Sequence, residues 1–156
     1  MKSSLELVTG FDPNLPPEKE MKYYTIILDG VDKCGKDTIR KILFKIDRGR
    51  YLCEARGYLS CMVYGEETNR PYRYDISSQK YVMNILLDVS KEDQQNRLLQ
   101  ASESNDKYDI ESKLFDKHYN ILKSKGYMTL RYNTSKMSAE DIAKDINERM
   151  NKLNNL

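Results

Sequence analysis

The feature that most constrains the fold is a glycine- and lysine-containing loop between an apolar run and a helix-like segment. Residues 30–38 have the sequence GVDKCGKDT and follow an apolar run at 24–28. The spacing G-x-x-x-x-G-K lets successive backbone N–H groups curve around a phosphate, with the lysine on its outer oxygens and a helix N-terminus aimed at the same charge. We therefore predict a phosphate-binding loop formed by Gly30, Asp32, Lys33, Cys34, Gly35, Lys36, Asp37 and Thr38.

The rest of the chain alternates strand-like and helix-like segments. Strands are predicted over residues 22–29, 51–55, 81–89 and 127–132, and helices over 36–46, 58–67, 91–101, 110–125 and from 139 onward. Ser90 and Ser138 each precede acidic residues, which is typical of helix N-caps. The alternation predicts an α/β domain with a parallel sheet of about four strands, whose ligands bind beyond the carboxyl ends of the strands.

The 156 residues are enough for one domain. Residues 1–21 contain three prolines and the charged run at 18–20, which disfavour a continuous helix or strand. We expect a flexible N-terminal extension over 1–21 and a folded domain over 22–156. Met21 stands directly before the first predicted strand, so an upstream extension and an alternative start are both compatible with the sequence.

The amino-acid composition limits the classes of binding partner and the cellular compartment that we expect. The net charge is only +2 although 32% of residues are charged, so no polyanion-binding surface is indicated and nucleic acid is not implied. Cys34, Cys53 and Cys61 lack the spacing of a zinc or disulfide framework, which favours free thiols in a reducing, cytoplasmic compartment. No apolar stretch approaches the roughly 20 residues that span a bilayer, so we expect no membrane association.

Three stretches resemble one enzyme family. Residues 26–36, IILDGVDKCGK, resemble the thymidylate kinase form of the phosphate loop, E/D-G-x-D-R/K-x-G-K. Residues 55–60, ARGYLS, with Tyr64 resemble the D-R-G/Y-x-x-S-x-x-x-Y signature of thymidylate and deoxynucleoside monophosphate kinases, including those of bacteriophages. Residues 85–90 with Arg97 are similar to the strand and helix that lead into the family's lid. Together the matches cover most of residues 22–150.

The resemblance implies a three-layer P-loop kinase-like domain with one strand fewer than the usual nucleotide kinase. It also implies transfer of the γ-phosphoryl group of ATP to a deoxynucleoside monophosphate, with Mg²⁺ as cofactor. The partners would be nucleotide substrates, and the resemblance leaves open whether the protein forms a homodimer. If a phage encodes the enzyme, it would act in the host cytoplasm. Two alternatives remain: a catalytically impaired nucleotide-binding protein, and a kinase for another acceptor such as a nucleoside or a polynucleotide end.

The resemblance assigns catalytic roles to Lys36, Lys33 and Arg56. Lys36 would bind the β- and γ-phosphates, and Lys33 would add a second cation inside the loop. Family members with a basic residue at that loop position tend to lack arginines in the lid. The candidate lid at 102–109 agrees with this, because Lys107 is its only basic residue. Arg97 would reach the donor adenine or its phosphates.

The acceptor is assigned to Asp32, Arg56, Ser60, Tyr64 and Arg70 by the same resemblance. Asp32 would accept a hydrogen bond from the 3′-hydroxyl of the sugar, and Arg56 would clamp the acceptor phosphate as a planar, bidentate group. The aromatic and basic residues at 69–74, with Tyr64, could stack on the base, although a solvated loop has the same composition.

Three departures from the family pattern affect these roles. Asp37 occupies the position of a hydroxyl residue, so either Asp37 or Thr38 would ligate Mg²⁺, or Asp37 is only a helix N-terminal acid. Ala55 replaces the acid of the signature. The interval at 44–54 is too short for the usual strand and base-binding helix. The triplet at 47–49 is an alternative D-R-G, but it lacks the correctly spaced serine and tyrosine, so we prefer Arg56.

The single histidine, His118, receives no function because it has no recognisable partner.

Overall fold

The computed structural model describes residues 24–70 and 75–154, which are organised around a four-stranded parallel sheet. The strands are β1 (Thr25–Asp29), β2 (Cys53–Ala55), β3 (Val82–Asp88) and β4 (Thr129–Asn133), in the spatial order β2-β1-β3-β4. This confirms the predicted α/β class and the predicted number of strands. The extension predicted at 1–21 lies outside the described residues.

Five α-helices connect and follow the strands in the described part of the chain. They are α1 (Lys36–Asp47), α2 (Tyr58–Glu67), α3 (Lys91–Gln100), α4 (Tyr108–Ser124) and α5 (Ala139–Leu153). The two predicted N-caps are confirmed, since Ser90 Oγ accepts from the Asp93 amide and Ser138 Oγ from the Asp141 amide, each at 3.1 Å. None of the helices over 24–70 and 75–154 is long and apolar enough to cross a membrane.

The helices cover the sheet in pairs. α1 packs against α5, and α2 packs against α4. The right-handed rule for crossovers explains this pairing. The connection from β1 to β2 runs towards one edge of the sheet, whereas the connections from β2 to β3 and from β3 to β4 run towards the other edge, so α1 and α2 lie on opposite faces. The interior strands β1 and β3 are buried by both layers, and their residues Ile26, Leu28 and Ile85 are fully buried.

The strand order creates a switch point at the carboxyl ends of β1 and β3. The connection after β1 leads to β2 on one side, whereas the connection after β3 leads to β4 on the other side. Crevices at such points are the usual ligand sites of open α/β sheets. Residues 30–35 occupy this position directly after β1.

Several predicted boundaries were wrong by a few residues. β1 begins at Thr25 rather than at 22, and β2 begins at Cys53 rather than at 51. The 3-10 helix Ile76–Tyr81 precedes β3 and was not predicted, and the Asp75 carboxylate caps it by accepting a hydrogen bond from the Ser77 amide at 3.0 Å. α4 begins at Tyr108, two residues before its predicted start, so the segment between α3 and α4 is shorter than the predicted lid.

Candidate functional site

The loop between β1 and α1 is shaped by two glycines. A Cβ atom on Gly30 would lie 2.4 Å from the Leu87 carbonyl oxygen and 2.7 Å from Cys34 Sγ, so no larger residue fits. Gly35 is the N-cap of α1 and has a φ of 105°, in the left-handed region that glycine adopts without strain. No side chain caps α1, so its first amides are available to an anion. The loop therefore has the backbone geometry that phosphate binding requires.

Lys36 lies at the centre of this loop. Its Nζ donates to the carbonyl oxygens of Gly30 at 2.8 Å and Val31 at 3.3 Å, and it lies 3.5 Å from Cys34 Sγ. The residue is 9% exposed. A charged ammonium that is held among loop carbonyls and next to free helix amides is placed to exchange these carbonyls for phosphate oxygens.

Helix α3 supports the loop from behind. The Gln94 side-chain amide donates to the Asp32 carbonyl oxygen at 3.1 Å, and Arg97 donates to the Lys33 carbonyl oxygen at 2.9 Å. Arg97 also donates to Thr134 Oγ1 at 3.3 Å, which joins the loop to the segment after β4. Lys33 itself has a φ of 62°, so its backbone needs such support. The predicted contact of Arg97 with the donor adenine or its phosphates, on the helix that leads into the lid, stays a prediction, and the observed hydrogen bonds of Arg97 stabilise the loop.

A cavity of about 440 Å³, here called the loop cavity, opens in front of the loop. Residues 32–39 of the loop and of the start of α1 line it, together with Thr134 and residues 137–139 from the segment after β4. Arg56 and Arg97 also border it. The exposed side chains of Asp37 and Thr38 present a carboxylate and a hydroxyl to this space, and both are hard oxygen donors of the kind that Mg²⁺ prefers. The described residues contain no preformed cluster of three or more acidic, histidine or cysteine ligands.

Asp29 is a structural centre of the site that the sequence analysis did not single out. Its carboxylate is fully buried, and Oδ1 accepts from the Gly57 amide at 2.9 Å, from the Ser60 amide at 3.2 Å and from the Ser60 hydroxyl. The pKa of Asp29 is raised above its usual value, because the effect of burial is larger than the opposing effects of the hydrogen bonds from Ser60 and Gly57 and of the nearby Lys36 charge. These contacts fix the start of α2 against the end of β1. The available signal was an acid directly before the first loop glycine.

The same contacts decide where Ser60 and Arg56 point. Ser60 is 3% exposed and its hydroxyl donates to Asp29, so the residue supports the start of α2 and does not line the cavities beside the loop. Arg56 has a φ of 68°, and its amide donates to the Leu28 carbonyl oxygen at 2.8 Å. This anchored backbone presents the exposed Arg56 side chain beside the loop. Arg48, from the alternative D-R-G triplet, is instead the C-cap of α1 at the far end of that helix.

A second cavity of about 440 Å³, here called the lid cavity, adjoins the first. Asp32 and Arg56 line both cavities and form their common border. Tyr64, Glu67, Thr68, residues 104–107 and Glu111 complete the lid cavity. The Tyr64 ring packs edge-on against Phe115 at a centroid distance of 6.1 Å, and burial together with Glu111 raises the pKa of its hydroxyl to about 12. Arg70 lies outside both cavities, and residues 71–74 of the predicted base-binding cluster lie outside the described residues.

The lid cavity has an acidic wall that no sequence pattern indicated. Glu67 lies on α2 and Glu111 on α4, so only the pairing of these helices brings the two carboxylates together. Glu111 is 5% exposed, and burial, followed by the charge of Glu67, raises its pKa. Lys107 Nζ lies 3.2 Å from Glu67 Oε1, so the predicted lid lysine is paired within the protein.

Lys33 is also paired. Its Nζ lies 3.3 Å from the Glu103 carboxylate in the segment between α3 and α4. Both side chains are partly exposed, and pairs of this kind contribute at most about 1 kcal/mol. A phosphate at the loop can therefore displace Glu103 at little cost.

Comparisons with known proteins define the fold but not the family. No family model matches the chain, and no curated protein does. Among solved structures, the chain is similar to the YorR protein of Bacillus subtilis, crystallised in complex with phosphorylated GDP, with a TM-score of 0.61 and 16% sequence identity. The match covers 80% of this chain and 94% of that one. The similarity supports the α/β fold alone, and the resemblance to thymidylate kinases stays a prediction.

Proposed function

We propose that this chain is a P-loop kinase that transfers the γ-phosphoryl group of ATP to a deoxynucleoside monophosphate. The observation that carries the proposal is the common border of the two cavities, where Asp32 and Arg56 face both. Phosphoryl transfer needs a donor and an acceptor in line, with the negative charge neutralised between them. Two cavities that share a border, one of them beside the predicted phosphate loop, support this proposal.

On the donor side, the loop amides and Lys36 bind the β- and γ-phosphates of ATP. Lys33 adds a second positive charge once phosphate displaces Glu103. The exposed oxygens of Asp37 and Thr38 fit a Mg²⁺ ion, which would neutralise phosphate charge when bound. Residues 134 and 137–139 are left to contact the nucleoside part of ATP, because they line the loop cavity and do not belong to the loop.

On the acceptor side, Arg56 binds the phosphate of the acceptor. Its guanidinium forms no salt bridge within the described residues, and its charge acts on the nearby Tyr64 hydroxyl. The Asp29 contacts hold its backbone in place. Asp32 accepts a hydrogen bond from the sugar, and Tyr64 forms a rigid aromatic wall against Phe115. This assignment makes the border of the cavities the place where the two phosphates meet.

A second candidate, a kinase for another acceptor such as a nucleoside or a polynucleotide end, is favoured by the charge of the lid cavity. Four carboxylates line it, those of Asp32, Glu67, Asp106 and Glu111, against the cations of Arg56 and Lys107. A neutral acceptor that carries hydroxyl groups suits such a wall better than a dianion does.

An ADP-release assay with purified protein, ATP and Mg²⁺ separates these candidates. Each of the four deoxynucleoside monophosphates and each corresponding nucleoside is added separately, with Lys36→Ala as the control for contaminating kinases. The proposal predicts ADP release that depends on at least one monophosphate. Release only with nucleosides supports the second candidate. ATP binding without any turnover indicates an impaired nucleotide-binding protein.

A further inference from the structure

A third concave surface lies at the edge of the sheet and shares the lining residue Asp37 with the loop cavity. This edge groove, between α1 and β2, has a volume of about 900 Å³. Its walls include Phe44, which is 67% exposed, and Leu52, which is 62% exposed. β2 pairs only with β1 among the described strands, so its outer edge is also uncovered. Two large apolar side chains beside an open strand edge indicate an interaction surface.

The charges around the edge groove select the kind of occupant. Arg40, Lys41 and Lys45 line it, all three are exposed, and none forms an ion pair within the described residues. Two acids also line the groove. Asp37 is exposed at the start of α1, whereas Asp47 is buried and its Oδ1 accepts from the Gly49 amide at 2.7 Å, so three exposed cations face one exposed carboxylate. The groove therefore suits an apolar segment that carries carboxylates, whereas the same face of a second copy would bring like charges together.

The chain itself contains such a segment next to the groove. The described chain begins at Tyr24, and the Ile26 amide donates to the Leu52 carbonyl oxygen at 2.8 Å, so the chain enters β1 beside the groove wall. Residues 3–18 contain three acids and no lysine or arginine, and they combine them with apolar side chains, namely Leu5, Glu6, Leu7, Val8, Phe11, Asp12, Leu15 and Glu18. Lys2, Lys19, Glu20 and Lys22 flank this part of the segment. At about 3.3 Å per residue, a few of these residues reach any point of the groove.

We propose that residues 1–23 dock in the edge groove of their own chain. Their apolar side chains cover Phe44 and Leu52, and their carboxylates face Arg40, Lys41 and Lys45. The tether keeps the segment at an effective concentration in the millimolar range, so weak contacts are sufficient. The prolines of the segment disfavour a helix and are compatible with an extended chain, which fits a groove beside a strand. This inference is independent of the proposed kinase activity.

Hydrogen exchange on the full-length chain tests the docking directly. We expect the amides of residues 1–23 to exchange more slowly than their intrinsic rates. Phe44→Ser removes the aromatic contact and should lower that protection about tenfold or more. Leu99→Ser is the matched control, because Leu99 is 76% exposed and lies outside the groove, and it should leave the protection unchanged. Unaltered exchange in α5 verifies that both variants are folded.

Two charge-reversal variants give a second readout in the same assay. Lys41→Glu places a carboxylate in the groove and should reduce protection of residues 1–23, whereas Lys113→Glu, an exposed position on α4, should not. Intrinsic exchange rates at residues 1–23 in the parent chain would overturn the proposal. Equal effects of Phe44→Ser and Leu99→Ser would do so as well. Protection that increases with protein concentration would show that a second copy, and not the chain's own segment, covers the groove.

Discussion

Replacing Asp29 with alanine tests the link between the phosphate loop and helix α2. The substitution removes the acceptor of three hydrogen bonds, from the Gly57 amide, the Ser60 amide and the Ser60 hydroxyl. The hydroxyl can rotate to another acceptor, but the two backbone N–H groups cannot. Each buried donor left without a partner costs about 1–3 kcal/mol.

The expected loss of unfolding free energy is about 2–4 kcal/mol, in the lower part of that summed range. We expect a loss in the lower part of the range because the substitution also has a favourable effect. It removes a desolvated carboxylate whose Oδ2 has no hydrogen-bond partner in the described residues. Such a loss is a large share of the roughly 5–15 kcal/mol that stabilises a typical domain. Asp29→Asn keeps an oxygen acceptor and should cost less.

Urea unfolding followed by circular dichroism measures these differences. Glu148→Ala is the matched control, because Glu148 is an exposed acid on α5 and its loss should change stability by less than about 0.5 kcal/mol. Ser60→Ala removes only one donor and should cost about 1 kcal/mol. The reasoning is refuted if Asp29→Ala is no more destabilising than Glu148→Ala.

The remaining predictions concern the loop and the lid cavity. Lys36→Ala should reduce turnover about 100-fold or more with the fold intact, as measured by ADP release and circular dichroism; unchanged turnover would contradict the role of the loop. Lys33→Met should lower kcat far more than it raises KM for ATP, whereas Lys107→Met should have a small effect; equal losses would contradict the division of roles. Asp37→Ser should shift a Mg²⁺ titration of activity to higher concentration, and Asp37→Ala should shift it further; two unshifted curves would leave Asp37 as a helix N-terminal acid. Burial and Glu67 raise the folded-state pKa of Glu111 above its unfolded value, so its contribution to stability falls as pH rises between the two values. Glu111→Gln should remove that part of the pH dependence of the urea midpoint.

The sequence predicted the fold class because the relevant signals are local. The loop at 30–38, the N-caps Ser90 and Ser138 and the apolar run of β3 each lie within a few consecutive residues. The spatial order of the strands was not predicted, since nothing local specifies which strands become neighbours. The 3-10 helix Ile76–Tyr81 was missed because its polar sequence has no helical periodicity.

Local sequence could predict the shape of the loop, whose residues are contiguous, but not the contacts between distant segments. Lys36 and Gly35 follow from one motif. In contrast, Asp29 is separated from Ser60 by 31 positions, and the assignment of Ser60 to the acceptor overlooked this partner. Glu67 and Glu111 come together only through the packing of α2 on α4. Their positions carry no pattern of their own, because an acid on an amphipathic helix usually faces solvent.

The most direct test of the central claim follows the phosphoryl group itself. The protein is incubated with ATP labelled at the γ-phosphate, Mg²⁺ and the deoxynucleoside monophosphate that releases most ADP, and the products are separated by chromatography. The account predicts label in the deoxynucleoside diphosphate, and no labelled product with Lys36→Ala. Label that appears only in inorganic phosphate, or remains in ATP with every acceptor, would contradict it.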